Sequence, residues 1–242
     1  MPTVTLTLAR FTPADRDDWL AAATAVLSDA ERDRLAQKRD ADGRAQHAIG
    51  RALLRLIGAG ASGRDPAQLE IATAGEGKPV LAELPDLGVS VAHSGRAVVV
   101  AACHGAEVGV DIEPPPADIA RARRLAERRF SAAEAAAVRA LPDAEAGAWF
   151  ARAWTTKEAV GKALGVGMIP ALAGAVVSTR ADALVSVWSG PAAGGWTLHQ
   201  LPAPGGEEWI AVALPAPAVE LGALTQPTRA AFAAATARPA AG

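Results

Sequence analysis

The chain of 242 residues predicts an α+β fold of two similar lobes, and three observations carry that expectation. Helical periodicities and short alternating runs occur together, without the strict strand–helix–strand alternation of a parallel sheet. An order of helices, then one long helix, then a β-rich hairpin occurs twice. The repeat lies in element order alone, since no residue-level identity accompanies it. The lobes are expected at 1–108 and 109–225, each a small antiparallel sheet packed on a long helix, with an Ala/Pro-rich tail at 226–242.

Element by element, Thr3 to Ala9 alternates as a strand. Helical patterns run from about Pro13 to Ala25 and from Ser28, an N-cap, to Gln37. The best helix of the first half spans about Asp42 to Ile57 and carries Ile49, Ala52, Leu53, Leu56 and Ile57. Gly58 and Gly60 are expected to stop it. Leu69 to Ala74 is a strand and Gly75 to Pro79 a turn. Val89–Ala92 and Ala97–Ala102 form a hairpin about His93-Ser94-Gly95-Arg96.

Glu107 to Ile112 alternates as a further strand. Helices are expected from Ala117 to Arg129, from Ser131, where Ser131-Ala-Ala-Glu134 matches a capping box, and from Ala144 to Leu164, ended by Gly165 and Gly167. Strand-like runs follow at Ala175–Thr179, Leu184–Trp188, Trp196–Leu201 and Trp209–Leu214. After Pro215 a packed strap and then a frayed tail are expected.

A formal charge of −2 argues against nucleic-acid binding driven by bulk electrostatics. The single cysteine, Cys103, excludes an internal disulfide and fits a reducing compartment. The opening residues lack a basic and then apolar leader, and no apolar run approaches the roughly 20 residues of a membrane helix. The expectation is a soluble cytoplasmic protein that binds neither nucleic acid nor membrane.

Two segments carry chemistry. In Gly109-Val110-Asp111-Ile112-Glu113, strand parity sends Asp111 and Glu113 to one face and Val110 and Ile112 into a core. In Trp154-Thr155-Thr156-Lys157-Glu158-Ala159-Val160-Gly161-Lys162, Trp154, Glu158 and Lys162 fall at i, i+4 and i+8 along one helical stripe, while Lys157 points elsewhere. Each segment alone also reads blandly, as a solvated strand end or a surface helix with intrahelical ion pairs. Together, carboxylates from a strand end and a helix make an all-oxygen nest suited to a magnesium ion that shares its shell with substrate phosphates. Trp154 reads as a core anchor. His47, His104 and His199 lack ligand-like spacing, which argues against zinc.

These stretches, with Gly77-Lys78-Pro79, Val91-Ala92-His93-Ser94-Gly95 and Phe130-Ser131-Ala-Ala-Glu134, resemble in order and motif the phosphopantetheinyl transferase family of the larger, surfactin-synthetase-activating type. The match spans residues 77–162, with weaker agreement over Arg44 to Arg55. The resemblance implies a pseudo-twofold α+β fold and a monomer. It implies Mg2+ at Asp111, Glu113 and Glu158, coenzyme A as donor, and a serine of an acyl or peptidyl carrier protein as acceptor. It suggests Glu158 as general base, with Lys162 meeting pyrophosphate oxygens or the leaving group.

Arg44, Arg51, Lys78, Pro79, Ala92, His93, Asp111 and Lys162 are the expected coenzyme A contacts, with Lys38 and Arg39 as weaker candidates. Ala92 stands where many family members carry serine. Arg121, Arg124 and Arg128 recur at helical spacing, either as a solvated face or as a dock for an acidic carrier helix. Two other functions share these carboxylates: a magnesium-dependent phosphoesterase acting on coenzyme A or a nucleotide, and a silent coenzyme A-binding module.

Overall fold

The computed structural model describes residues 2–166 and 195–237, with the backbone of 175–180 and 183–188. The elements in order are β1 (Thr3–Arg10), α1 (Arg16–Thr24), α2 (Asp29–Ala36), α3 (Ala41–Ser62), β2 (Ile71–Ala74), β3 (Lys78–Leu81), β4 (Leu87–Ser94) and β5 (Ala97–His104). Then come β6 (Gly109–Glu113), α4 (Ile119–Arg129), α5 (Ala132–Ala140), α6 (Asp143–Leu164), β7 (Ala175–Arg180) and β8 (Ala183–Trp188). The chain closes with β9 (Thr197–Pro202), β10 (Trp209–Leu214), β11 (Glu220–Thr225) and a last helix, α7 (Arg229–Thr236). The fold is α+β, as expected. Among the described residues no helix is long and apolar enough to cross a membrane.

One sheet has the order β11-β1-β5-β4 and the other β6-β10-β9, with β2-β3 and β7-β8 as separate hairpins. Val4, Leu6, Leu8, Val99 and Ala101 of the first sheet share an interior with Val110, Ile112, Ile210, Val212 and Leu214 of the second. The reverse face of the first sheet (Val98, Val100, Ala102) buries Ala48, Ile49, Ala52 and Leu53 of α3. The reverse face of the second, at Ala211 and Ala213, packs on Ala159 and Val160 of α6. With both faces covered, β5 is buried along nearly its whole length, which is why Ala97–Cys103 reads as an unbroken apolar run. β4 passes beside β6, where the Val110 N–H donates to Ser90 Oγ at 3.1 Å.

Three local expectations need correction. Gly58 does not end α3. A Cβ there would lie 2.9 Å from Leu69 and 3.1 Å from Leu81, so glycine admits the base of the β2–β3 hairpin against the helix. The helix stops at Gly63, whose φ of +72° forms the left-handed cap. β11 pairs parallel with β1 (Thr3 opposite Glu220), so the first sheet is mixed and residues assigned to the second lobe complete it. Residues 229–236, expected in a tail, form α7, because Phe232 is 1% exposed and packs on Trp19 with ring centroids 4.8 Å apart. Gly167, expected beside Gly165 at the end of α6, lies outside the described residues.

Candidate active site

Where β4 runs beside β6, a cavity of about 490 Å³ opens between α3 and α6. Its walls are Gln46, His47, Gly50 and Arg51 of α3, Gly77 and Pro79 of the β2–β3 hairpin, and Val91, Ala92 and His93 of β4. Asp111 and Glu113 of β6 and Trp154, Glu158 and Lys162 of α6 complete it. Strand parity turns Asp111 and Glu113, and helical periodicity turns Trp154, Glu158 and Lys162, toward the cavity.

The close fit of α6 on β6 depends on Gly109. A Cβ there would overlap the Ala159 carbonyl oxygen and come within 2.5 Å of the Ala163 nitrogen. Backbone therefore meets backbone, and the adjoining side chains of α6, Glu158 and Lys162, are set against Asp111 and Glu113. α6 ends at Gly165, with φ +66°.

Asp111 is 5% exposed and accepts a 2.7 Å ion-paired hydrogen bond from Lys162 Nζ to Oδ1. Its Oδ2 and Glu158 Oε1 are buried without a hydrogen-bond partner. Glu113 Oε2 accepts from Ser94 Oγ at 3.1 Å. Burial raises the pKa of all three carboxyls. For Glu158 burial is the main cause and the Asp111 and Glu113 charges add to it, and the carboxyl is pushed up to about 7 despite Lys162. Asp111 is raised by burial against the pull of Lys162, and Glu113 by burial and then by Asp111. His93 is lowered by burial, then by the charges of Lys162 and Lys38. His47 is lowered by burial, then by Lys38 and Arg51.

Three carboxylates on one wall, two with unpartnered buried oxygens, are a donor set that fits a hard divalent cation. As placed, no three His, Cys, Asp or Glu side chains among the described residues stand close enough to enclose an ion. The Lys162 ammonium instead neutralises Asp111.

Several expected contacts sit differently. Arg51 lines the cavity, but its Nε binds Glu31 at 2.6 Å and one terminal nitrogen binds the Ile71 carbonyl at 3.0 Å. Arg44 is not a lining residue, and its Nε is buried without a partner. Lys78 opens β3 rather than sitting in a turn. Its ammonium binds Glu107 and, at 2.8 Å, the Ala163 carbonyl, so it borders a smaller adjoining pocket. Trp154 does double duty, stacking on Phe150 at 5.6 Å while lining the cavity. Gln46, His47 and Ser94 were not foreseen. His47 could have been found from its place between Arg44 and Arg51, at i+3 and i+7 along one helix face.

Lys157 points away from the cavity, as predicted, and is fully buried in a 3.0 Å ion pair with Glu134. Glu134 also closes the Ser131 capping box. Arg121, Arg124 and Arg128 are exposed on α4, whereas Arg123 is turned back onto Asp143 and the Leu141 carbonyl.

Residues 10–105 match the family model described as 4′-phosphopantetheinyl transferase, N-terminal. Residues 107–213 match that of the 4′-phosphopantetheinyl transferase superfamily. A 4′-phosphopantetheinyl transferase of Bacillus subtilis is 33% identical over 142 residues, 57% of this chain and 60% of the relative. The 4′-phosphopantetheinyl transferase psf-1 of Bacillus pumilus is 39% identical over 102 residues, 42% of each chain. The 4′-phosphopantetheinyl transferase HetI of a Nostoc species is 33% identical over 130 residues, 52% of this chain and 54% of the relative. The chain thus spans three-fifths or less of the length of these curated relatives. The two family matches run almost unbroken from residue 10 to residue 213, and the chain belongs to the 4′-phosphopantetheinyl transferase superfamily.

Proposed function

We propose that the protein transfers the 4′-phosphopantetheine arm of coenzyme A to a serine of an apo acyl or peptidyl carrier protein, releasing adenosine 3′,5′-bisphosphate. The observation that carries this reading is the meeting of Glu158, which has a buried, unpartnered carboxyl oxygen, with Asp111, Glu113 and Lys162 in a cavity that also holds His47 and His93. In the reaction the serine oxygen bonds to the β-phosphorus of the pyrophosphate and the bond from that phosphorus to the bridging oxygen breaks. Glu158 receives the serine proton on its otherwise unpartnered carboxyl oxygen. Lys162 meets the negative charge growing on the leaving phosphate.

Asp111, Glu113 and Glu158 would hold Mg2+, which when bound supplies charge stabilisation to the pyrophosphate oxygens. A cation there would lower the Glu158 pKa, so the value near 7 belongs to the metal-free protein. His93 and His47, kept neutral by burial and neighbouring cations, retain an N–H for the phosphates of the donor. The exposed arginines of α4 fit the acidic helix of a carrier protein.

The test is to incubate the protein with coenzyme A, Mg2+ and a panel of apo carriers and weigh the carriers. A mass gain equal to the phosphopantetheine arm is expected. Release of adenosine 3′,5′-bisphosphate without a carrier would point to the phosphoesterase, and binding without turnover to the silent module.

A further inference from the structure

The molecule has a second charged cluster, made by α2 and α3, buried at Glu31 and Arg55 and reaching the cavity at Arg51. Glu31 on α2 is 2% exposed and Arg55 on α3 is 2% exposed. Glu31 Oε1 accepts from Arg51 Nε at 2.6 Å, and Oε2 accepts from Arg55 Nε at 2.9 Å and from the Ser28 backbone at 2.9 Å. Arg55 pairs with Glu31 at 2.7 Å through a second nitrogen and donates a third to the carbonyls of Pro66 and Leu69, both at 2.8 Å. Arg51 reaches the Ile71 carbonyl at 3.0 Å. Every carbonyl held by the two arginines lies at or just before the start of β2.

That pattern is more than an internal ion pair. Arg51 and Arg55 lie one helical turn apart on α3, and Glu31 fixes both guanidinium planes. Their remaining N–H groups grip Pro66, Leu69 and Ile71, the strand entry of the β2–β3 hairpin. The same hairpin carries Gly77 and Pro79 into the cavity wall. At its other end Lys78 binds the Ala163 carbonyl of α6, and Gly75, at φ +48°, lies where a Cβ would come 2.8 Å from the Gly165 carbonyl. The hairpin is therefore a strap from α3 to α6, and the Glu31 cluster is its fastening at the α3 end. A ledge made by a two-stranded hairpin has little order of its own. Directional, charge-assisted bonds to its backbone supply the order.

We propose that Glu31 and Arg55 are positioning residues that hold the β2–β3 hairpin in place as a preformed wall for the donor. They act through Arg51 and the backbone of residues 66–71. The inference rests on the reading of this cavity as the coenzyme A site. Loss of the cluster weakens donor binding because the wall must then be ordered at each binding event. The carrier-facing side and the carboxylates on β6 and α6 are left as they are.

The test compares the wild-type protein with Glu31→Gln/Arg55→Met. Glutamine keeps the capping-box bond at this helix position, and changing both members of the buried pair together leaves no carboxylate buried without Arg55. Two readouts are taken: amide exchange over 71–81 and 143–164, and the dissociation constant for coenzyme A. The expected result is faster exchange in 71–81 only, with coenzyme A binding weakened on the order of tenfold and the KM for the carrier unchanged. Unchanged exchange in the hairpin, or loosening of 143–164 to the same degree, overturns the proposal. Arg55→Lys, which keeps the charge but not the fork, is the milder variant should the double one fail to fold, and a smaller effect in the same direction is expected. If the wild-type protein does not bind coenzyme A, the functional reading fails. The exchange measurement still decides whether the cluster fastens the hairpin.

Discussion

Replacing Glu158 with glutamine should stabilise the metal-free protein while abolishing its activity. In the folded chain this carboxyl is raised from its ordinary 4.5 to about 7, first by burial and then by Asp111 and Glu113. A group raised in this way favours the folded state when protonated. Its contribution is fully present below its unfolded pKa and is lost as pH rises through about 7. At about 1.4 kcal/mol per unit the shift corresponds to roughly 3 kcal/mol. The side chain is part-exposed, so screening reduces the expected effect to about 2 kcal/mol. Glu158→Gln should therefore match wild type at about pH 4.5 and exceed it by about 2 kcal/mol at about pH 8.5. For a chain of this size that is about 4–8 °C in Tm. Thermal melts across this range in the presence of a chelator measure it, and added Mg2+ should shrink the gap by stabilising wild type alone. A variant less stable than wild type at high pH, or a gain independent of pH, would refute the reasoning.

Other perturbations test the remaining parts. Gly109→Ala pushes a methyl into the backbone of α6 and should cost about 3 kcal/mol in chemical denaturation, a loss larger than that from Gly60→Ala, where a Cβ meets nothing within 4 Å. Phe232→Ala should lose about 3–5 kcal/mol; a near-neutral result would return α7 to the status of a tail. Changing Arg121, Arg124 and Arg128 together to glutamine removes exposed pairs worth about 0.5 kcal/mol each, so the carrier KM should rise roughly tenfold at low salt and much less at high salt. An unchanged KM would leave these arginines as an ordinary solvated face.

The faces that carry the carboxylates were legible because they depend on local periodicity alone. The parity of Gly109–Glu113 fixes the faces of Asp111 and Glu113, and i+4 spacing fixes those of Glu158 and Lys162. Partners distant in the chain were not legible. Nothing near Arg51 indicates that Glu31, 20 positions earlier, takes its Nε. Nothing near Lys78 announces the carbonyl of Ala163. Gly58 misled for a related reason: its role is set by Leu69 and Leu81, which come into contact only after the hairpin folds back. The parallel pairing of β11 with β1 joins opposite ends of the chain, and Glu220–Thr225 shows no local sign of its partner. The fastening of the hairpin and the closing of the first sheet thus belong to tertiary structure, whereas the acid cluster is written into two short segments.

The most direct test of the account is Mn2+ binding followed by electron paramagnetic resonance, with and without coenzyme A. The account predicts a single bound ion whose affinity rises when coenzyme A is present and falls in Asp111→Asn and in Glu113→Gln. Binding that ignores both substitutions, or no binding even with coenzyme A, would contradict it.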